Sequence, residues 1–188
     1  METDLRSILT HLGVEDEELL ENTPGRWGRA LEELLKGRLE QAPKLTVFQS
    51  KAGAGDMIVK AGLRAVSLCP HHCLPYLLEA DFGYIPLEGN VVGISKPGRL
   101  LYWAASRFTL QEEIGPMFLQ EFQKQVRPLG AIIVIRGLHL CESIRGAKQN
   151  NSITITTATK GIFTEGEVCR KEFWKLLEGA HNFTKMSL

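Results

Sequence analysis

The chain has 188 residues, of which 44% are apolar and 23% charged, and its 22 basic side chains balance 22 acidic ones. This composition is typical of one globular domain, and zero net charge gives no support to whole-surface binding of nucleic acid or an anionic membrane. The acidic N-terminus is unlike a signal peptide and no apolar run approaches the ~20 residues of a membrane span, so we expect a cytoplasmic protein. In a reducing compartment its four cysteines are expected to bind metal or to be buried.

The predicted elements begin with helices. Residues 5–12 carry an amphipathic pattern, and a longer helix is predicted from Pro24, capped by Asn22 or Thr23. A turn-rich segment that permits a short strand at residues 45–48 follows. We therefore divide a single compact domain into an N-terminal helical segment, residues 1–43, and a main part, residues 44–188.

The main part is expected to mix strands and helices. Apolar residues alternate with acidic ones over residues 78–84, and an apolar run at residues 90–95 follows a glycine turn, which together predict an antiparallel hairpin. Helices are predicted at 97–107 and 111–126, with Pro116 delaying or kinking the second. Strands at 130–137 and 152–159 and a helix at 169–178 complete the chain. Without βαβ alternation, this order predicts an α+β fold with an antiparallel sheet.

Two short segments concentrate metal-binding residue types. Cys69 and His72 are three residues apart, so one turn can direct both at one ion while His71 points elsewhere. His139 and Cys141 follow a strand and are two residues apart, which puts both on one face of an extended chain. Either pair alone could equally be buried thiols and hydrogen-bonded histidines. Together they favour three protein ligands with one open position, the arrangement of a catalytic zinc ion in hydrolysis.

Further motifs run in one order from Asn22 to the C-terminus. They are NTPGR at 22–26, CPHH at 69–72, YIPLEGNVVGISKPGR at 84–99, TLQEEI at 109–114, HLC at 139–141 and RG at 145–146. In this order and spacing they resemble the GTP cyclohydrolase I family, whose zinc motif is Cys-Glu-His-His followed much later by His-x-Cys and Arg-Gly.

The resemblance implies a role for each matching residue. The zinc ligands would be Cys69, His72 and Cys141. The two catalytic histidines, which handle protons beside the metal, would be His71 and His139. Purine recognition would fall to Gln111 and Glu112. Contacts to the ribose and triphosphate would come from Ser95, Lys96, Arg99 and Arg145, and from Arg26 of a neighbouring subunit.

The resemblance also implies a fold, an assembly and a reaction. The fold would be the tunnelling fold, with N-terminal helices and an antiparallel four-stranded sheet that carries helices on one face. Sheets of several subunits would close into a barrel within a homodecamer whose active sites lie at subunit interfaces. The reaction would be zinc-dependent hydrolysis of the guanine imidazole ring of GTP, which releases formate and gives 7,8-dihydroneopterin triphosphate. Neither nucleic acid nor a membrane is expected as a partner.

Elementary chemistry agrees with these roles. A carboxylate at Glu112 is the natural acceptor for the N1–H and 2-amino donors of guanine, and adenine would leave it unpaired. A triphosphate needs several cations, which Lys96, Arg99 and Arg145 would supply despite the zero net charge. Each of these side chains taken singly is more typical of solvated surface, so only their joint match supports the roles.

The sequence departs from the family pattern at the metal motif. Pro70 stands in place of a glutamate, which stiffens the backbone and removes a charge beside the metal. Cys73 stands in place of an apolar residue, and burial as a small apolar side chain is favoured there over ligation. Two alternatives therefore stay open: a related enzyme that stops early or takes another purine nucleotide, and a nucleotide-binding protein without catalysis.

Overall fold

A computed structural model gives the fold of the chain. The structure describes residues 2–50 and 55–186, and it describes side chains as far as residue 180. The helices are α1 (Glu2–His11), α2 (Glu17–Leu35), α3 (Lys96–Ala105), α4 (Gln111–Val126), α5 (Leu140–Ser143) and α6 (Glu167–Met186). The strands are β1 (Val47–Gln49), β2 (Ile58–Leu68), β3 (Pro75–Ile85), β4 (Asn90–Val92), β5 (Gly130–His139) and β6 (Thr154–Gly161). Within the described residues, no helix combines the length and the apolar character that crossing a membrane requires.

The second helix begins seven residues earlier than predicted. Asp16 caps it by accepting a hydrogen bond from the backbone N–H of Leu19 at 3.1 Å, so Pro24 lies inside the helix. A proline there removes one backbone hydrogen bond and costs about 3 kcal/mol. Leu20, Pro24 and Gly28 are spaced four residues apart and are all buried on one face, and this burial offsets the cost.

Four antiparallel strands form the main sheet, in the order β2-β3-β5-β6. The prediction of an α+β fold with antiparallel strands is therefore confirmed. The predicted hairpin between residues 78–84 and 90–95 is wrong, because β4 pairs with β1, Val47 opposite Val92. Both edges of β3 are already occupied, by β2 on one side and β5 on the other, so β3 has no edge to offer β4.

Helices cover both faces of this sheet. On one face α3 and α4 bury the predicted apolar positions of β3, and the ring of Phe82 packs 4.9 Å from Phe118 and 4.7 Å from Phe122 between centroids. On the other face Phe173 of α6 packs in one apolar cluster with Ile132 of β5 and Ile85 at the end of β3. The prediction that helices lie on one face is thus right for α3 and α4 and wrong for α6. Side chains point alternately to the two faces of a strand, so a strand with apolar residues on both faces needs another element packed against each of them.

A charged pair interrupts the second face. Asp81 of β3 is fully buried and pairs with Arg136 of β5. The same carboxylate accepts a hydrogen bond at 2.9 Å from the backbone N–H of Gly62, at an irregularity in the pairing of β2 with β3. A buried carboxylate requires such partners, because desolvation without them costs several kcal/mol.

The helix α4 starts at Gln111, as its apolar spacing predicted, in spite of Pro116. Glu113 accepts hydrogen bonds from the hydroxyl of Thr109 at 2.6 Å and from the backbone N–H of Leu110 at 3.2 Å. These bonds hold the pKa of Glu113 below its usual range. They also fix the direction in which the first residues of α4 leave the preceding loop.

Candidate active site

The loop between β2 and β3 brings Cys69 and His72 together. The backbone N–H of Cys69 donates to the carbonyl of Leu74, and that of Cys73 donates back to the carbonyl of Cys69, each at 2.9 Å. Cys73 takes a left-handed conformation, with φ of 54°, where the turn reverses into β3. In this turn the Sγ of Cys69 lies 3.6 Å from the Nδ1 of His72 and 3.9 Å from the Nδ1 of His71.

The third candidate ligand comes from the end of β5. Pairing of Tyr76 with His139 sets this strand end beside the loop. The chain does not stay extended as predicted, because β5 stops at His139 and Cys141 lies on the short helix α5. The metal-binding atoms of Cys69, His72 and Cys141 nevertheless all lie within 4.8 Å of one another.

These three side chains fit a metal ion. Donor atoms that share one tetrahedral zinc ion, at about 2.0–2.3 Å from it, lie roughly 3.3–3.8 Å apart, and the Cys69–His72 separation of 3.6 Å falls in this range. Burial, together with the adjacent Cys69 thiol, raises the pKa of Cys141, while Arg145 acts in the opposite direction. A cation that accepts both sulfur atoms would favour their thiolate forms. The group could therefore hold a metal ion.

Cys73 is not part of this group. Its side chain is exposed, so the expectation that it packs as a small buried residue is wrong. The reason is local: the left-handed turn at Cys73 directs the residue away from the core just before β3 begins.

His139 is held between two side chains. Its Nε2 lies 2.9 Å from the Oε1 of Gln111, and its ring stacks on that of Tyr76 at 4.5 Å between centroids and 7° between planes. Burial lowers the pKa of His139, against the opposing effect of the Glu112 and Glu142 carboxylates. The imidazole is therefore a neutral, oriented group at ordinary pH.

Tyr76, on which the His139 ring stacks, is itself held by a hydrogen bond. Its side chain is fully buried, and its hydroxyl donates to the carbonyl of Thr109 at 2.8 Å. Burial raises the pKa of Tyr76 from the ordinary value of 10 to about 12. The bond connects β3 to the residues that lead into α4, and it thereby helps to fix the position of Gln111 relative to His139.

Gln111 is almost fully buried at the start of α4, with 1% of its surface exposed. Its amide nitrogen donates to the carbonyls of Ile135 and Thr154, each at 3.0 Å, and lies 3.2 Å from the hydroxyl of Thr156. Room for this amide depends on Gly137, because a Cβ built there would lie 2.0 Å from the Oε1 of Gln111. Neither Tyr76 nor Gly137 was predicted from the sequence. A glycine inside an otherwise apolar strand was the available signal for Gly137, since it often marks a close approach of another group.

One cavity of about 260 Å³ joins these parts. It is lined by the three candidate metal ligands, both candidate catalytic histidines and the two candidate purine-binding residues: Cys69, His72, Cys141, His71, His139, Gln111 and Glu112. Glu112 is exposed, and Pro70 and Glu142 lie at the same cavity. Seven residues predicted from three separate segments of the sequence thus meet in one place.

Comparison with known proteins agrees with this geometry. The sequence matches the GTP cyclohydrolase I family over residues 1–178. The chain belongs to this family. Similar proteins include "GTP cyclohydrolase 1" of Desulforamulus reducens, 33% identical over 94% of this chain and 95% of that protein. The "GTP cyclohydrolase 1" proteins of Acetivibrio thermocellus (34% identical, covering 93% of this chain and 94% of that protein) and Gloeobacter violaceus (33%, covering 95% and 84%) are also similar.

Among solved structures, the chain is similar to the crystal structure of the archaeosine synthase QueF-Like in the apo form. The TM-score is 0.46 at 19% sequence identity, and the match covers 59% of this chain and 97% of that chain.

The residues that the GTP cyclohydrolase I motifs assign to the ribose and triphosphate do not all line the cavity. Arg145 lies beside it and donates to the carbonyl of Cys141 at 3.2 Å. Ser95 and Lys96 lie at the start of α3, whose far end leads to the residues that pair with Leu68 beside the metal loop. Ten helical residues at 1.5 Å each span about 15 Å, so the start of α3 is remote from Cys69. Arg99 lines a different cavity, and Arg26 is exposed on α2.

Proposed function

We propose that the protein is a zinc-dependent GTP cyclohydrolase that opens the imidazole ring of the guanine of GTP, releases formate and gives 7,8-dihydroneopterin triphosphate. The observation that carries this proposal is the convergence of a Cys-His-Cys group, two histidines and the Glu112 carboxylate on one cavity. Family membership supports the same activity.

In this proposal the guanine base is held by Glu112. A carboxylate can accept hydrogen bonds from both N1–H and the 2-amino group, and charge-assisted bonds of this kind are about twice as strong as neutral ones. Because Glu112 lies between Gln111 and Glu113 at the start of α4, the hydrogen bonds of Glu113 to Thr109 and Leu110 fix the position of its backbone. The base would then lie between the helix start and the metal ligands.

Proton transfers would fall to the two histidines. His139 is neutral and oriented, which suits a group that takes up and returns protons. His71 is exposed at the mouth of the loop and lies within reach of Cys69, on the side open to solvent. Cys69, His72 and Cys141 would hold zinc, which when bound lowers the pKa of water and polarises the group to be hydrolysed.

The triphosphate would be bound by cations of more than one chain. Within one chain Ser95 and Lys96 are separated from the metal group by the length of α3, and Arg99 lines a different cavity. A homo-oligomer in which α3 of one copy faces the metal loop of another would complete the site, and the barrel-forming tunnelling fold in a decamer is one such arrangement. Exposed apolar side chains on the sheet, Leu77 and Ile155, and Ile153 just before β6 support burial against other copies.

The reaction is tested by incubating the zinc-loaded protein with GTP while formate release and the mass of the pterin product are followed together. One formate per GTP, with dihydroneopterin triphosphate as the product, is expected. An opened but still formylated product would favour a related enzyme that stops early, with Pro70 as the residue to examine. GTP that is bound but unchanged would favour a nucleotide-binding protein.

Base recognition is tested with Glu112→Gln. We expect kcat/KM for GTP to fall by about 10²-fold or more, since a neutral amide cannot accept from both donors. The preference for GTP over inosine triphosphate, which lacks the 2-amino group, should narrow at the same time. Glu172→Gln, an exposed carboxylate on α6, is the matched control. An unchanged preference would remove Glu112 from base recognition.

The shared site is tested by mixing two inactive variants. Cys141→Ala removes a metal ligand, and Lys96→Ala removes a cation at the start of α3. If the two halves of a site come from different copies, random co-assembly of equal amounts restores about a quarter of the wild-type activity, since each half is intact with even odds. If one chain supplies both halves, the mixture stays inactive.

A further inference from the structure

The hydrogen bonds around Gln111 point to a role other than contact with the substrate. We propose that Gln111 is a positioning residue that fixes the tautomer of His139, with the proton on Nε2 and the lone pair on Nδ1, and that it does not read the purine. The kinetic part of this proposal rests on the proposed function, whereas the tautomer itself does not.

The orientation of the Gln111 amide follows from its neighbours. Its nitrogen faces the backbone carbonyls of Ile135 and Thr154, each at 3.0 Å, and these two acceptors take up both of its protons. The reverse orientation would set the amide oxygen against two carbonyl oxygens, with no proton between them. The amide nitrogen and oxygen are assigned from such networks, and this network permits one assignment.

The tautomer of His139 follows from that orientation. The Oε1 of Gln111 lies 2.9 Å from the Nε2 of His139, and an amide oxygen can only accept a hydrogen bond. Nε2 must therefore carry a proton. In the neutral ring the lone pair is then on Nδ1, so Nδ1 is the atom that can accept a proton from a ligand in the cavity. Stacking on Tyr76 at 4.5 Å between centroids holds the plane of the ring, and the contact with Gln111 sets which edge of the ring faces the start of α4.

The same contacts leave Gln111 little to offer a base. With 1% of its surface exposed, its nitrogen donating to two carbonyls and its oxygen accepting from His139, each polar atom of the side chain already has a partner within the protein. Glu112, the next residue, is exposed at the same cavity. Glu112 is thus the residue available to bind a ligand, whereas Gln111 bonds to groups of the protein.

Gly137 gives an independent way to disturb this bond. A methyl group at this position would lie 2.0 Å from the Oε1 of Gln111 and 3.3 Å from the Nε2 of His139. Gly137→Ala therefore forces the amide away from the imidazole and leaves both of these side chains chemically unaltered. A role of Gln111 that acts through His139 should respond to Gly137→Ala and Gln111→Met alike.

The tautomer is read directly by ¹⁵N NMR of the zinc-loaded protein with labelled histidine, at about pH 8.5, two units above the ordinary imidazole pKa. His139→Asn identifies the signal among the five histidines. We expect the His139 proton on Nε2 in the wild type and a mixture of tautomers in Gln111→Met, which keeps the length and bulk of the side chain. A proton on Nδ1 in the wild type overturns the proposal, whether or not the protein turns over GTP and whether or not the variants fold.

Kinetics then separate positioning from base recognition. For Gln111→Met and Gly137→Ala we expect kcat to fall by about 10²-fold, the lower end of what a general acid or base supplies. KM for GTP and the preference for GTP over inosine triphosphate should stay within about threefold of the wild type. Gln120→Met, an exposed glutamine of the same helix, controls for the substitution. A loss carried by KM, or a changed preference between the two nucleotides, would place Gln111 on the purine and overturn the proposal.

Discussion

The buried hydroxyl of Tyr76 should make the stability of the protein depend on pH in the alkaline range. In the folded chain its pKa is raised from 10 to about 12, because burial disfavours the phenolate. Between these two values the unfolded chain has lost the proton while the folded chain keeps it, so the free energy of unfolding falls as pH rises. The stabilisation is complete below pH 10 and is lost as the pH approaches 12.

The size of the effect follows from the same two values. Two pKa units at 1.36 kcal/mol each amount to about 2.7 kcal/mol over the whole window, of which about 1.4 kcal/mol is lost by pH 11. Tyr76→Phe keeps the ring that stacks on His139 and removes the bond to Thr109, which should cost about 1–3 kcal/mol at pH 8. The advantage of the wild type over this variant should therefore shrink to near zero between pH 11 and pH 12.

Urea unfolding of both proteins at pH 8, 9.5, 10.5 and 11 measures this difference. Zinc loading and protein concentration are kept equal, since assembly and metal binding both add to apparent stability. Titration of lysines affects both proteins alike and cancels in the comparison. Tyr102→Phe, at a partly exposed ring, controls for the loss of a phenol. A difference between wild type and Tyr76→Phe that stays constant from pH 8 to pH 11 would refute the reasoning.

Two further substitutions test the metal group and the sheet. Cys141→Ala should abolish zinc binding while the assembly stays intact, with Cys169→Ala on α6 as the control that keeps one zinc per chain in metal analysis; full zinc occupancy in Cys141→Ala would move the third ligand elsewhere. Arg136→Met should lower the free energy of unfolding by about 3–5 kcal/mol, because it removes a cation that pairs with the buried Asp81 carboxylate. Denaturant unfolding that shows a loss under 1 kcal/mol would mean that other partners of Asp81 compensate.

The parts of the site that sequence analysis could predict are those with local spacing. Cys69 and His72 lie in one tight hairpin loop, so their separation of three residues was enough to predict that their side chains approach each other. The apolar period of α4 predicted its extent over residues 111–126, whereas the delayed start that Pro116 also allowed is wrong. Cys141 was predicted for a partly mistaken reason, since it reaches the group from a helical turn and not from an extended strand.

Other features depend on contacts that no local pattern records. The pairing of β4 with β1 joins two three-residue strands that are far apart in sequence, and strands this short have almost no period to detect. The hydrogen bonds of Gln111 require that β5 and β6 bring their carbonyls to the start of α4, which only the assembled sheet determines. The same holds for Pro24, whose burial on α2 outweighs the usual preference of proline for the first turn.

The three candidate metal ligands also connect distant parts of the chain. Cys69 and His72 lie in the loop after β2, whereas Cys141 follows about seventy residues later. Closing a loop of that length costs about 4 kcal/mol of chain entropy. In the folded protein the pairing of β3 with β5 offsets this cost, because it already holds the two ends of the loop together. During refolding an ion would thus find all three ligands only after those strands had paired. Zinc uptake, timed with a fluorescent chelator, would mark the moment at which the centre of the sheet is complete.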